Sequence, residues 1–215
     1  MVVKYHSSFF LYSKMSSILN GLGLTFRNTG FLKFNMFFPV LMAGAHFSLK
    51  AFGDADIAQI LITKSGVPSK KFPFFVLTML PVIAIVCAIG AIMGLTIYSK
   101  TGYESQNSRG QKDPSNLKKI GVPDWISRMQ GAQYNTWETT ISFLCTLYAA
   151  QNTGVSSSII VNVSAYVLLC RLLYPIMYVF DLDFFRTCMW YFAFQAMLMM
   201  AFAGCFPGVI APLLE

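Results

Sequence analysis

Charge is what this sequence has least of. Of its 215 residues 12% are charged, about half the roughly 25% usual in a soluble domain. The shortage is concentrated: no Asp, Glu, Lys or Arg occurs between Lys71 and Lys100, between Glu138 and Arg171, or between Arg186 and Glu215. Stretches of that length exclude an ordinary soluble fold, because a membrane-spanning helix needs about 20 mostly apolar residues. Histidine is scarce too. His6 and His46 lie outside these stretches with no partner at metal-ligand spacing, which argues against a metal site. No two cysteines form a C-x-x-C pair. Cys87, Cys145, Cys170, Cys188 and Cys205 all fall in apolar stretches and read as reduced, small core residues.

What is present is an all-α pattern for an integral, multi-pass membrane four-helix bundle in contact with the lipid bilayer. The first predicted helix runs from about Phe72 to Tyr98, with Pro81 inside it and Gly90 and Gly94 at a spacing that lets helices approach closely in lipid. The second starts near Asp124–Arg128 and ends near Gln151, where Gln151 to Ser157 form a polar break. The third covers about Ser156–Phe180 and the fourth about Phe184–Phe206, joined by a tight turn at Asp181-Leu182-Asp183; Pro207-Gly208 ends the last. The domain reading is therefore an extension, 1–71, and a four-helix domain, 72–215. In the extension, residues 1–33 contain no acid. They carry Lys4, Lys14, Arg27 and Lys33 among serines and helically spaced apolar residues, the character of either an organelle transit segment or an interfacial helix. Residues 34–49, interrupted by Pro39, are too short to span and read as interfacial or re-entrant. The net charge of +7 fits membrane orientation and lipid head groups better than a nucleic-acid groove. The 99–126 loop, with more basic residues than the Lys64, Lys70, Lys71 group, is placed on the cytosolic or matrix side. The organelle, mitochondrial or endoplasmic reticulum, stays open.

Polar residues inside the spans gather at one end. Arg128, Asn135 and Glu138 share one face of the second helix, with Gly131 on the same stripe. Arg171, Tyr174 and Tyr178 share one face of the third, and Arg186 and Trp190 follow at the start of the fourth. In an antiparallel hairpin series at 1.5 Å per residue, Glu138 lies about 20 Å and Arg171 about 22 Å from the turn near 151–156. The two opposite charges are thus expected at the same depth and in contact, within one subunit or across a subunit boundary. An unpaired Arg there would cost about 2.5–3.5 kcal/mol. The grouping reads either as a packing clamp or as a polar pocket open to one membrane face.

These residues also carry a family resemblance. Arg128-Met129-Gln130-Gly131-Ala132-Gln133-Tyr134-Asn135-Thr136-Trp137-Glu138 resembles R-x-x-R-A-x-x-N-x-x-E of the MAPEG family, the membrane-associated proteins in eicosanoid and glutathione metabolism. Arg171, Tyr174, Tyr178, Arg186-Thr187 and Trp190 resemble that family's R-x-x-[HY]-x-x-x-Y and the R-[ST] opening its fourth helix. Gly131 stands where that signature has its second Arg. The resemblance implies a homotrimeric four-helix bundle that binds glutathione as co-substrate between subunits. Arg128, Asn135, Glu138, Arg171, Tyr174 and Tyr178 would then hold the peptide, and Arg186 would be the catalytic residue that stabilises the thiolate. Two functions follow as expectations. One is a glutathione-dependent transferase or peroxidase acting on lipophilic electrophiles. The other is a non-catalytic accessory subunit of a larger membrane assembly, which the long extension favours. A transporter is disfavoured, because the first and fourth helices carry no charge in their interiors.

Overall fold

A computed structural model of the chain describes residues 29–100 and 114–214, and side chains from Phe38 onward except at 114, 115 and 118. The expected transit or interfacial segment at 1–33 falls almost wholly outside the described residues, and so do residues 101–113 of the 99–126 loop. Among the described residues every regular element is helical. Two compact units divide the chain, Met1–Ala43 and Gly44–Glu215. Helix α1 (Thr29–Asp54) runs through that division, with Pro39 inside it. The expected apolar segment at 34–49 is thus part of a 26-residue helix.

In the second unit, the later part of α1 is anchored on the bundle. The Phe52 ring meets the Tyr166 ring edge-on at 5.3 Å, and the Ser48 hydroxyl hydrogen-bonds the Tyr166 hydroxyl. Helix α2 (Ile57–Ser65) follows, opened by Asp56 in the left-handed conformation and closed by Gly66, also left-handed at φ 67°. Ala58 and Ile62 of α2 join the same core as Leu49 and Phe52. The expected boundary at 71/72 therefore falls inside this unit, and residues 44–71 pack as part of it.

The bundle comprises α3 (Phe72–Tyr98), α5 (Asp124–Asn152), α6 (Ser157–Val179) and α7 (Asp183–Cys205), with the short α4 (Pro114–Ile120) before α5 and α8 (Pro207–Ile210) after α7. Each end has a local cause. Pro73 opens α3 where its missing N–H costs nothing. Asp124 stands in the first turn of α5, favourable to the helix dipole. Gly154 (φ 76°) turns the chain after α5, with the Val155 N–H donating to Ala150 O at 3.0 Å. Asp181 (φ 60°) turns it after α6, with the Leu182 N–H donating to Met177 O at 2.9 Å. Both α3 and α7 pack on α5 and α6. The most enclosed helix is α6, with Ile159 through Tyr174 mostly buried. On α3, Val82, Ile85, Val86, Ile89, Met93 and Ile97 face outward, as a lipid-facing stripe must. Gly90 and Gly94 serve contacts within the chain. A Cβ on Gly94 would stand 2.6 Å from Trp125 Cη2, and one on Gly90 2.7 Å from Met129 Cε, so both glycines let α5 close on α3.

Three described helices are long and apolar enough to cross a membrane: Ser69–Tyr98, Ser157–Val179 and Asp183–Cys205. Four were expected. At 29 residues, α5 has the length but not the apolarity. It carries Arg128, Gln130, Gln133, Asn135 and Glu138, and a run of hydroxyls besides. Those hydroxyls are satisfied locally: Thr136, Thr139, Thr140, Ser142 and Thr146 each donate to the carbonyl one turn back, at 2.8–3.0 Å. A helix of this composition can therefore stand beside α3 in a bilayer without leaving hydroxyls unpaired. Cysteine placement also differs in part from expectation. All five are free; Cys87, Cys170 and Cys188 are buried, whereas Cys145 and Cys205 face outward.

Candidate functional site

The start of α5, the end of α6 and the start of α7 meet at one end of the bundle. Arg128 fixes that meeting. Its Nη1 pairs with Asp181 Oδ2 at 3.2 Å, tying the first turns of α5 to the α6–α7 turn. By sequence Asp181 reads only as part of a tight turn. The signal for it was an acid in the loop that a hairpin series brings back to the Arg128 end.

Beyond Arg128 the aromatic and cationic groups form a continuous stack. Arg171 Cζ lies 4.8 Å from the centre of the Tyr174 ring. The Tyr174 and Tyr178 rings meet edge-on at 5.1 Å. Arg186 Cζ lies 4.5 Å from the Tyr178 ring centre. Each contact is a cation–π or aromatic pair whose strength rises as water is excluded. Asn135 Nδ2 donates to Tyr178 Oη at 3.3 Å. Gly131 lies under the same ring: a Cβ there would stand 3.0 Å from Tyr178 Cε1 and Oη. The position that would hold a second Arg in the signature is thus closed over by Tyr178.

Arg171 is fully buried, and its Nε, Nη1 and Nη2 have no hydrogen-bond partner. The expected contact with Glu138 is not made within the chain. Glu138 is exposed, and the ion pairs among the described residues are Arg128–Asp181 and Arg186–Asp183. Spacing sets depth along a helix but not azimuth: Glu138 is exposed, whereas Arg171 is buried. Asp183 was likewise missed as a partner of Arg186, although an acid three residues before an Arg in a helix's first turn is a standing signal for one.

Asn135, Tyr174, Tyr178, Arg186, Thr187 and Trp190 line an open cleft of about 220 Å³. Five of the expected site residues, Asn135, Arg171, Tyr174, Tyr178 and Arg186, are therefore brought together at or directly behind one cleft. Arg128 lies beside it, held by Asp181, and Glu138 lies outside it. Chemically the cleft offers an amide, two phenols and a guanidinium at its surface, with a second guanidinium one ring behind. That set favours an anion carrying hydrogen-bonding groups. Among the described residues no cluster of His, Cys, Asp or Glu is arranged to hold a metal.

A helical membrane bundle with a polar, arginine-bearing cleft at one end defines the class. The sequence model of the MAPEG family matches residues 74–206. The chain belongs to that family. No curated protein matches the chain, and no solved structure does.

Proposed function

We propose that the chain is a glutathione-dependent transferase or peroxidase acting on lipophilic electrophiles, working as a homotrimer in an organelle membrane, mitochondrial or endoplasmic reticulum. The observation that carries this reading is Arg171, a buried guanidinium with three unpartnered nitrogens behind a cleft lined by Asn135, Tyr174, Tyr178 and Arg186. A buried cation without a partner is costly, and an anionic ligand carboxylate is the group that would relieve that cost. Glutathione is an anionic peptide with a thiol. Asn135, Tyr174 and Tyr178 would hold its peptide groups, and Arg186 would face the sulfur. A thiol has an ordinary pKa near 8.5, and a neighbouring guanidinium lowers it. In the transferase reaction the thiol proton goes to water. The thiolate forms an S–C bond to the electrophile, and the electrophile's leaving group departs with its bonding electrons. The apolar outer faces of α3 and α7 would admit the electrophile from the lipid.

A second reading, a non-catalytic subunit of a larger membrane assembly, is favoured by one observation. Arg186 is already paired with Asp183 and stacked on Tyr178, so its charge is partly spent within the chain. The two readings separate on purified protein. Calorimetric titration with glutathione, together with conjugation of a chlorodinitrobenzene, should give binding and turnover for the enzyme, with both weakened by Asn135→Ala. Absence of both, with co-migration of the chain in a much larger particle after mild solubilisation, would establish the subunit reading instead.

A further inference from the structure

The other end of the bundle carries a second cavity, of about 250 Å³. Asp56, Gln59, Lys70, Ser157, Ser158 and Asn162 form its polar walls. Ala58, Ile62 and Val161, all buried, give it an apolar side. Two membrane-crossing helices begin at residues that line it, one at Ser69 and one at Ser157. The cavity therefore sits at the level where hydrocarbon gives way to head groups. The cleft of Arg186 lies at the opposite ends of those helices, about 35 Å away along a 23-residue span. The two sites belong to opposite membrane faces.

The walls carry one acid and one base. Asp56 and Lys70 face the same cavity, yet neither joins an ion pair among the described residues. Asp56 is held at φ 50° by the turn between α1 and α2, which fixes its position at the cavity edge. A ligand of one sign would suit one wall and be repelled by the other. A ligand with a phosphate and an ammonium a few bonds apart suits both, and an acyl chain suits the apolar side. We infer that this cavity binds the head group of a zwitterionic aminophospholipid. Its phosphate lies against Lys70 and the hydroxyls of Ser157 and Ser158, its ammonium against Asp56, and its glycerol end runs toward Ala58, Ile62 and Val161. Lysine suits a phosphate as a compact point charge. The exposed Lys64 and Lys71 nearby add attraction to the head-group layer without completing the cavity. The volume is ample for a head group and far more than a lone water needs.

The full-length protein, purified in mild detergent, would be titrated with phosphatidylethanolamine, phosphatidylglycerol or inorganic phosphate, and bound lipid counted by native mass spectrometry. Phosphatidylethanolamine should be retained in preference to phosphatidylglycerol. Asp56→Asn should reduce that preference about tenfold, the worth of one charge-assisted hydrogen bond; Asn tolerates the left-handed backbone there, so the fold is kept. Lys70→Ala should weaken both lipids by about the same factor. Millimolar phosphate should leave lipid retention unchanged. Equal retention of the two lipids, or retention that neither substitution alters, would overturn the site. Displacement of lipid by inorganic phosphate would overturn the lipid assignment in favour of a free anion. Because the readout is lipid binding, the result is independent of whether the chain uses glutathione.

Discussion

The ring of Tyr178 lies so close over Gly131 that a Cβ on the glycine would meet it at 3.0 Å. Gly131 thereby seats Tyr178 where Asn135 can donate to its hydroxyl and Arg186 can stack on its face. Gly131→Ala should gain about 1 kcal/mol of helix propensity. It should lose more to overpacking, which typically costs about 1–3 kcal/mol. The net result should be a lower thermal midpoint in detergent. In a Tyr178→Ala background the crowding is gone, and the same substitution should raise the midpoint. A double-mutant cycle showing simple additivity would refute the contact.

Arg171 gives the opposite sign from the sequence expectation. Had it paired with a buried Glu138, removing it would have cost about 3–5 kcal/mol. Glu138 is exposed and the guanidinium has no hydrogen-bond or ion-pair partner in the chain, so Arg171→Met removes a buried cation held by its contact with Tyr174 and, at longer range, by Glu138. The Met sulfur can take up the contact with Tyr174. Stability should stay equal or rise, by up to about 3 kcal/mol on insertion scales, read from thermal unfolding in detergent. Glutathione should raise the midpoint of the parent and not of Arg171→Met. A large loss of stability in the variant would instead mean that a carboxylate from another subunit meets Arg171.

Topology is testable at two positions. Lys119, before α5, and Gln151, at its far end, are both exposed, and α5 separates them by about 40 Å. Single cysteines there, in a background without the five native ones, should react with an impermeant reagent from opposite sides of the membrane. Lys119 is expected on the cytosolic or matrix side. Labelling of both from one side would mean that α5 does not cross.

The parts of this fold that could be read in the sequence are those fixed by local chemistry. The helix at Phe72–Tyr98 was legible from its charge-free length, and the polar break at 151–157 located the end of α5. The stripe of Arg171, Tyr174 and Tyr178 was legible because helical period alone puts them on one face. What spacing did not fix was azimuth and partnership within the chain. Glu138 shares a stripe with Asn135 by spacing, yet it is exposed and makes no ion pair with Arg171 within the chain. Asp181 had no periodicity to mark it, since a left-handed turn returns it to Arg128, whereas Asp183 stands at i,i+3 spacing from Arg186 within α7, a signal the sequence does carry. The packing of residues 44–71 was hidden for another reason: Leu49, Phe52, Ala58 and Ile62 are anchored by long-range contacts with α6 that no local pattern announces.

The Asp183–Arg186 pair sits one turn into α7 with the guanidinium over Tyr178. If Arg186 stabilises a thiolate, the two members of the pair must act on it in opposite senses. Arg186→Leu removes the cation, raises the pKa of bound glutathione and moves the rise of the pH–rate profile to higher pH. Turnover near neutrality should fall by a factor of about 100 to 1,000, as for other single electrostatic stabilisers, while affinity falls less. Asp183→Asn removes the competing anion. The thiol pKa should then fall, and the profile should move to lower pH, with turnover at pH 7 equal or higher. Stability should barely change in Asp183→Asn, because an exposed pair contributes about 0–1 kcal/mol. A structural role for the pair would move both variants' stability and leave the profile of any residual activity where it was. If both substitutions shift the profile in the same direction, Arg186 is not the group facing the sulfur.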